Sequence, residues 1–225
     1  MAVPAIPLTL AHDGAEHLAG AALMALEQLE AALAGQARDR PGLRLHDVAG
    51  LDGLLDADGE IGRIAAQRLG PKARPVRAIL FDKSDGTNWT LGWHQDRTIA
   101  VATRREVPGF GPWTVKQGMS HVAPPFALLS GMLTLRIHLD PVPADNAPLL
   151  IAPGSHHSMV PESDIDAAVA AHGVHSCLAD AGDIWIYATP ILHASDAAAR
   201  PARRRVLQVD YAATALPDGL EWLGI

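Results

Sequence analysis

The segment MLTLRIHLD, residues 132–140, alternates between two kinds of side chain along its length. The aliphatic positions are Leu133, Leu135, Ile137 and Leu139, and the polar positions between them are Thr134, Arg136 and His138. Because successive side chains of a strand point to opposite faces, the segment predicts a strand with one apolar and one polar face. The polar face either meets water or lines the interior of a barrel, and we favour the interior.

Strand-like segments of this kind recur from residue 75 onward, separated by Gly, Pro, Asp and Asn. The other segments are residues 75–81, 88–94, 97–104, 147–153, 173–179, 183–188 and 204–212. The first third of the chain has helical spacing instead. We predict helices over residues 16–33, from an N-cap at Asp58 to Gly70, and from an N-cap at Ser163 to Ala171. This order predicts an antiparallel sandwich or barrel with helices packed on one sheet.

Length and composition predict one domain, residues 1–225, with a helical part over about 1–74 and a β core over about 75–212. The formal net charge is −7, and no basic stretch is long enough to follow a phosphate backbone, so we do not expect a nucleic-acid partner. The lone Cys177 indicates a reducing compartment. No signal peptide or membrane-length apolar run is evident, and we expect a cytoplasmic protein. Oligomeric state stays open.

The first candidate for chemistry is the pair His94 and Asp96, in the segment LGWHQDRTIAV, residues 91–101. Two residues apart on a strand, their side chains share one face and could bind one metal ion. A His-x-Asp pair is also common by chance, and a solvated strand end is its ordinary meaning. A third ligand from elsewhere in the chain would favour a metal site over a solvated strand end.

Arg204 follows His193 by eleven positions, and the ten residues between them are typical of a turn, so we expect the two on neighbouring antiparallel strands. Arg204 falls on the polar face of its strand, opposite in parity to Arg203 and Arg205. A guanidinium beside a histidine is suited to binding a carboxylate through two parallel hydrogen bonds. Two histidines and one carboxylate leave three open positions on a metal, the arrangement of non-haem Fe(II) oxygenases.

Four motifs extend this pattern: WHQD (93–96), NAPLLIAPGSHH (146–157), GDIWIYATPILHAS (182–195) and RRRVLQVDYA (203–212). With them the chain resembles the phytanoyl-CoA dioxygenase family of Fe(II)- and 2-oxoglutarate-dependent oxygenases, over about residues 75–212. The resemblance implies a double-stranded β-helix (jelly-roll) core, in agreement with the strand pattern. One departure is Ala147, where the family usually has glycine in an Asn-Gly-Pro turn.

The resemblance also implies roles for particular residues. The implied Fe(II) ligands are His94, Asp96 and His193. The implied 2-oxoglutarate residues are Arg204, Ser195, Gln95, Lys83 and Trp113, although a regular strand would point Gln95 away from His94. The candidates for substrate contact are Asn88, Thr134, Arg136 and His138.

The implied activity is hydroxylation of a small-molecule metabolite coupled to decarboxylation of 2-oxoglutarate to succinate, with ascorbate as a candidate stimulant. Because position 96 carries a carboxylate, the resemblance implies a hydroxylase and not a halogenase. Two alternatives stay open. The chain could be a non-catalytic metal- or ligand-binding protein on the same fold, or a zinc hydrolase with the same three ligands.

Overall fold

A computed structural model describes residues 7–37 and 42–225 of the chain. Its helices are α1 (Leu10–Asp13), α2 (Leu26–Leu33), α3 (Asp52–Leu55), α4 (Gly62–Leu69), α5 (Phe126–Leu129) and α6 (Ile165–His172). Its strands are β1 (Ala15–Leu18), β2 (Leu43–Leu45), β3 (Arg74–Lys83), β4 (Leu91–His94), β5 (Ile99–Val101), β6 (Trp113–Lys116), β7 (Met119–Val122), β8 (Leu133–His138), β9 (Leu149–Ile151), β10 (His175–Cys177), β11 (Ile184–Ala188), β12 (His193–Ser195) and β13 (Arg204–Ala212).

The strands form three sheets in which the paired strands run antiparallel. A six-stranded major sheet has the order β1-β11-β8-β13-β3-β2, and a four-stranded minor sheet has the order β10-β9-β12-β4. Strands β5, β7 and β6 form a third, smaller sheet. This arrangement is the predicted double-stranded β-helix with helices packed on it. No helix in the described ranges is long and apolar enough to span a membrane.

Helices α2, α3 and α4 cover the outer face of the major sheet. The largest apolar cluster joins sheet residues such as Leu135, Ile137 and Leu207 to helix residues such as Leu29 and Leu55. Burial of this face leaves the opposite face of the same strands turned toward the minor sheet. Thr134, Arg136 and His138 lie on that inner face and are each at most 5% exposed. The interior position predicted for this polar row is therefore confirmed.

The N-terminal part differs from the prediction of one helix over residues 16–33. The chain forms β1 first, turns at Gly20 and begins α2 only at Leu26. Gly20 has φ 64°, a left-handed conformation that interrupts a helix, and β1 pairs with β11 at the edge of the major sheet. Since β2 pairs with β3 as well, the part predicted as purely helical contributes two strands to the main sheet.

Two other helices were predicted with the wrong beginnings. Helix α4 begins after Ile61, which makes no side-chain capping bond, and Asp58 is not its cap. A single turn of 3-10 helix over Glu162–Asp164 precedes α6, so Ser163 is not a cap either. Both helices end as predicted, at Gly70 and Gly173.

The expected pairing of the strands that carry His193 and Arg204 is wrong. Strand β12 belongs to the minor sheet, between β9 and β4, whereas β13 lies inside the major sheet, between β8 and β3. Residues 196–203 therefore cross from one sheet to the other instead of closing a hairpin. The consequence is that His193 and Arg204 face a common space between the two sheets.

Candidate metal centre and its cavity

Three potential ligands meet at the end of the minor sheet. His94 ends β4 and lies directly across from His193 at the start of β12, with ring centroids 4.2 Å apart. Asp96 follows His94 by two residues. One ligand atom from each of the three side chains lies within 4.8 Å of the other two. Within the described ranges this is the one group of at least three His, Cys, Asp or Glu residues with such geometry.

Hydrogen bonds fix which nitrogen of each imidazole faces the centre. Nδ1 of His94 lies 2.8 Å from the carbonyl oxygen of Gly92, and Nδ1 of His193 lies 3.0 Å from that of Ile191. A carbonyl only accepts, so each Nδ1 carries the proton and each Nε2 presents a lone pair. Burial, with a smaller contribution from His94, lowers the pKa of His193 to about 4. The His193 ring is therefore neutral near pH 7, as metal ligation requires.

Arg77 on β3 holds the carboxylate of the group in place. Its Nη2 donates to Asp96 Oδ2 at 2.8 Å, and its Nε donates to Asp210 Oδ2 at 2.5 Å. Burial alone would raise the pKa of Asp96, but the charge of Arg77 beside it holds that pKa well below its usual range. Asp96 is therefore ionised at neutral pH, with one oxygen held by Arg77.

The donor set fits a divalent transition metal. Two neutral imidazole nitrogens and one carboxylate oxygen suit Fe(II) with three open positions. The same three ligands also suit zinc, which binds similar sets in hydrolases. The ligands alone do not distinguish the two metals, so the rest of the cavity has to be considered.

A cavity of about 590 Å³ lies between the major and minor sheets, with His94, Asp96 and His193 on its wall. This volume is typical of a site for a small molecule. Its other walls carry Lys83, Arg136, Ser195, Arg204 and Gln208.

A buried lysine and a buried arginine stand side by side on this wall. Lys83 and Arg204 face each other across β3 and β13, and each is 2% exposed. The Lys83 ammonium donates to Ser195 Oγ at 3.1 Å and to the carbonyls of Trp89 and Asp196. Burial, and then the charges of Arg204 and Arg136, lower the pKa of Lys83 to about 8. Two adjacent cations of this kind favour an anion between them.

The structure also explains how Arg204 differs from its neighbours. Its Nη1 donates to the carbonyl of Ala147, and its buried Nε has no hydrogen-bond partner in the described part of the chain. The Arg205 side chain points to the other face, where it binds Asp140 and Glu30. The Arg203 side chain is 47% exposed beside Asp82. The predicted parity of the three arginines is confirmed.

Gln95 lines the cavity, but its amide is fully engaged with the backbone. Its Nε2 donates to the carbonyls of Ser158 and Pro190, and its Oε1 accepts from the Val160 N–H at 2.8 Å. These bonds tie the segment after the 3-10 turn Ser155–His157 to the strand end that carries the candidate ligands.

The structure does not bring every predicted site residue to the cavity. Asn88, Trp113, Thr134 and His138 are not among the residues that line it. Asn88 instead exchanges two hydrogen bonds with the backbone of Ala198. Trp113 lies on β6 in a separate apolar cluster, with Arg104 over its ring.

The cavity residues that were missed from the sequence include Arg44, Arg77, Lys116 and Gln117. Arg77 could have been found, because it shares the parity of Lys83 on a strand that the pattern does predict. Arg44 lies on β2 and Lys116 on β6, two short strands that the alternation does not predict.

Comparison with known protein families agrees with this geometry. The family model described as phytanoyl-CoA dioxygenase (PhyH) matches residues 28–206. No curated protein sequence matches the chain.

Solved structures share the fold at low sequence identity. EctD from S. alaskensis, crystallised with 2-oxoglutarate and 5-hydroxyectoine, has a TM-score of 0.65 and 17% identity over 100% of this chain and 83% of its own. SnoN, a non-heme alpha ketoglutarate dependent epimerase from nogalamycin biosynthesis, has a TM-score of 0.60 and 17% identity over 90% of this chain and 77% of its own. AviO1 from Streptomyces viridochromogenes Tue57 has a TM-score of 0.58 and 21% identity over 93% of this chain and 94% of its own.

Proposed function

The chain belongs to the phytanoyl-CoA dioxygenase family, and we propose that it is an Fe(II)- and 2-oxoglutarate-dependent oxygenase that hydroxylates a small molecule. The observation that carries the proposal is one shared cavity. On its wall are a two-histidine, one-carboxylate group and, close by, a buried lysine–arginine pair. Iron and 2-oxoglutarate together require both features, a metal-binding face and a separate anchor for a carboxylate.

Each residue has a part in this proposal. His94, Asp96 and His193 would hold Fe(II) through Nε2, a carboxylate oxygen and Nε2. When bound, the iron and its cosubstrate would supply the dioxygen chemistry that oxidises a C–H bond while 2-oxoglutarate becomes succinate and CO₂. Arg204 would bind the distal carboxylate of 2-oxoglutarate, with Ser195 and Lys83 beside it.

The remaining contributions of the protein are positioning and charge. The Nδ1–H bonds to Gly92 and Ile191 keep both imidazoles oriented toward one point. Arg77 keeps Asp96 ionised and fixes one of its oxygens. The buried part of the wall, around Lys83 and Arg204, lowers the local dielectric and so strengthens charge interactions there.

Asp96 is also the basis for proposing hydroxylation. A carboxylate at this position fills the place on the metal that a halide would need, and its negative charge disfavours a second anion beside it. Relatives by fold include an epimerase and a carbocyclase, so the reaction type rests on this residue and not on the likeness. Mass spectrometry of products formed in excess chloride or bromide tests it, and a halogenated major product would contradict the role of Asp96.

The two alternatives account for less of the cavity. A zinc hydrolase would use the three ligands, but Lys83 and Arg204 would have no function in it. A non-catalytic ligand-binding protein would have no need for both imidazoles to be held in the ligand tautomer, and a non-catalytic metal-binding protein would have no need for the Lys83–Arg204 pair.

The decisive measurement is succinate formed from 2-oxoglutarate with Fe(II), dioxygen and ascorbate. We expect Asp96→Ala and His193→Ala each to abolish succinate formation while retaining the wild-type circular dichroism spectrum.

Arg204→Ala should raise the KM for 2-oxoglutarate about tenfold to a hundredfold, the value of a charge-assisted contact. Arg203→Ala is the matched control, because its side chain leaves the cavity. Wild-type succinate yield in a ligand variant, or equal effects of the two arginine variants, would refute the assignment.

A further inference from the structure

The cavity is strongly basic although the chain as a whole is acidic. Seven basic side chains line it: Arg44, Arg77, Lys83, Arg97, Lys116, Arg136 and Arg204. Its acidic side chains are Asp96 and Glu162, whereas the whole chain has a formal net charge of −7. In the described ranges, Arg77 is the only one of the seven with an ion pair. A cavity with this many unpaired cations is suited to more than one anion.

The unpaired cations fall into two groups. Lys83, Arg136 and Arg204 lie together. Burial lowers the pKa of Lys83, and the positive charges of Arg204 and Arg136 lower that pKa further. The second group is Arg44 and Lys116, here called the outer cation pair. Burial lowers the pKa of Lys116, and the charges of Arg77 and then Arg44 lower it further.

The outer cation pair is separate from the proposed 2-oxoglutarate anchor. Arg44 on β2 lies opposite Ile79 of β3, two residues from Arg77, whereas Arg204 lies opposite Lys83, four residues further along β3. Lys116 donates to Thr98, two residues after Asp96. The outer cation pair therefore lies on the side of the cavity where Arg77 and Asp96 meet, and a ligand held by Lys83 and Arg204 leaves it free.

The positions of the outer cation pair are built into the fold. The Arg44 backbone N–H donates to Gln117 Oε1 at 3.0 Å, and Gln117 Nε2 donates to the Gly42 carbonyl at 2.7 Å. These bonds join β2 to the turn after β6. Lys116 Nζ donates to Thr98 Oγ1 at 3.2 Å. These bonds hold β2 of the major sheet beside β6 of the third sheet, so that Arg44 and Lys116 line the same wall of the cavity.

The Arg44 guanidinium has unused hydrogen-bonding capacity at this wall. Its Nε is buried without a hydrogen-bond partner in the described part of the chain. Arg97, the other cation nearby, is engaged instead with the carbonyl of Val160. A buried, charged donor is costly to leave unpaired, so the arrangement favours an acceptor supplied by a ligand.

We propose that the substrate of the oxygenase is a small molecule with an oxyanion group, a carboxylate or a phosphate, and that Arg44 and Lys116 bind this group. The inference rests on the proposed function, because it assigns the Lys83–Arg204 pair to 2-oxoglutarate. Arg44 can offer two parallel donors to the oxyanion, and Lys116 adds a compact charge. The oxyanion end of the substrate then lies at the wall formed by β2 and β6, in the same cavity as the metal ligands.

The test measures binding without turnover. Calorimetry under anaerobic conditions, on protein with Fe(II) and saturating 2-oxoglutarate, is run with a panel of small carboxylic acids and phosphate monoesters. Each acid is paired with its methyl ester, and each phosphate with its free alcohol. We expect anionic members of one class to bind at least about tenfold more tightly than their neutral partners, as one charge-assisted contact implies. The class that binds identifies the oxyanion.

The variants Arg44→Gln and Lys116→Met should each weaken that binding about tenfold or more. The matched controls are Arg63→Gln and Lys72→Met, which remove exposed surface cations and should change it less than twofold. The proposal is overturned if no anionic member binds, if neutral partners bind equally well, or if both cavity variants keep wild-type affinity. Succinate formation by the wild-type protein is measured separately. Its absence would contradict the proposed function while leaving the anion-binding result standing on its own.

Discussion

At the scale of single residues, Ala147 shows how the chain holds a turn in which the family resemblance implies glycine. Its φ is 51°, in the left-handed region that glycine adopts freely and alanine does not. The carbonyl of Ala147 accepts hydrogen bonds from Arg204 Nη1 and Ser195 Oγ. These contacts to the Lys83–Arg204 wall hold the strained conformation, so the departure in sequence leaves the turn intact.

Ala147→Gly should therefore stabilise the protein by up to about 1.5 kcal/mol. Relief of the left-handed strain contributes about 1–2 kcal/mol, and the greater freedom of glycine in the unfolded chain takes back about 0.5–1 kcal/mol. Ala34→Gly is the control, because Ala34 has a helical φ of −59° and should only lose stability. Urea unfolding measures both. Equal destabilisation by the two changes would mean that Ala147 is not strained.

Arg77 is the residue whose loss should affect the metal centre most without touching the metal. Arg77→Met would leave Asp96 and Asp210 as buried carboxylates with no cation between them. Breaking a buried ion pair in this way costs about 3–5 kcal/mol, and Fe(II) affinity should fall with it. Adding Asp210→Asn should recover part of the stability, because it removes one of the two unpaired charges. Urea unfolding measures the loss of stability, and competition with a metal chelator measures the loss of Fe(II) affinity. A double variant no more stable than Arg77→Met would rule out this role.

Residue parity explains which site residues the sequence could predict. Alternation along residues 204–212 selects Arg204 from three consecutive arginines, and the structure confirms its inward position. The same alternation could not predict Arg44 and Lys116. They lie on strands of three and four residues, too short to show a period of two above chance.

At the scale of elements, the long strands could be predicted and the edge strands could not. Strands β8 and β13 bury an apolar row, and that burial imposes the visible alternation of apolar and polar residues. Strand β1 reads as helix because leucines and alanines from Leu18 to Leu33 happen to recur at spacings of three and four. Its strand form depends on pairing with β11, which lies more than 160 residues away in the sequence. The local spacing of apolar residues cannot predict a partner at that distance.

Asp183 joins β1 to β11 at the edge of the major sheet and should make these two strands sensitive to acid. Its carboxylate accepts from the backbone N–H groups of Gly20 and Asp180 and from His17. Burial raises the pKa of Asp183, but these three bonds outweigh it and leave the pKa below the ordinary value. The folded chain therefore binds this proton less readily than the unfolded chain. The resulting stability is complete above about pH 4, the ordinary carboxyl value, and is lost as the pH falls below it.

Asp183→Asn should remove this part of the pH dependence. We expect it to be less stable than wild type at pH 6 and to approach wild type at pH 3, as measured by thermal unfolding across that range. Asp166→Asn, on the exposed side of α6, is the control and should follow the wild-type curve. If Asp183→Asn differs from wild type by the same amount at both pH values, the carboxylate charge contributes nothing.

At the scale of the whole molecule, the site depends on a crossing between sheets. The eleven-residue spacing of His193 and Arg204 is visible in the sequence, but it is equally compatible with a hairpin. Only the placement of β12 beside β4 and of β13 beside β3 turns that spacing into two opposing walls. Such pairings are set by burial over the entire chain, which explains why the residues were predictable and their strand partners were not.

The interior of the molecule should also set its resistance to acid, through His138. This side chain is 1% exposed, and neither ring nitrogen has a hydrogen-bond partner in the described ranges. Burial, and then the charge of Arg136, lower the pKa of His138 to about 3. Between that value and the ordinary value of about 6.5, the unfolded chain binds a proton that the folded chain does not. Stability is therefore complete above about pH 6.5 and falls as the pH drops below it.

His138→Met removes the titrating ring and keeps an apolar side chain of similar size. We expect it to match or slightly exceed wild-type stability at pH 7 and to exceed it by about 2 kcal/mol more at pH 5, since one proton contributes about 1.36 kcal/mol per pH unit. A smaller slope should persist because burial also lowers the pKa of His121, to about 4. Urea unfolding at both pH values measures the difference, with His157→Gln as a control whose ring is already exposed. A His138→Met variant that loses as much stability as wild type between pH 7 and pH 5 would show that His138 takes up its proton in the folded protein, and that the neutral state inferred for its ring is wrong.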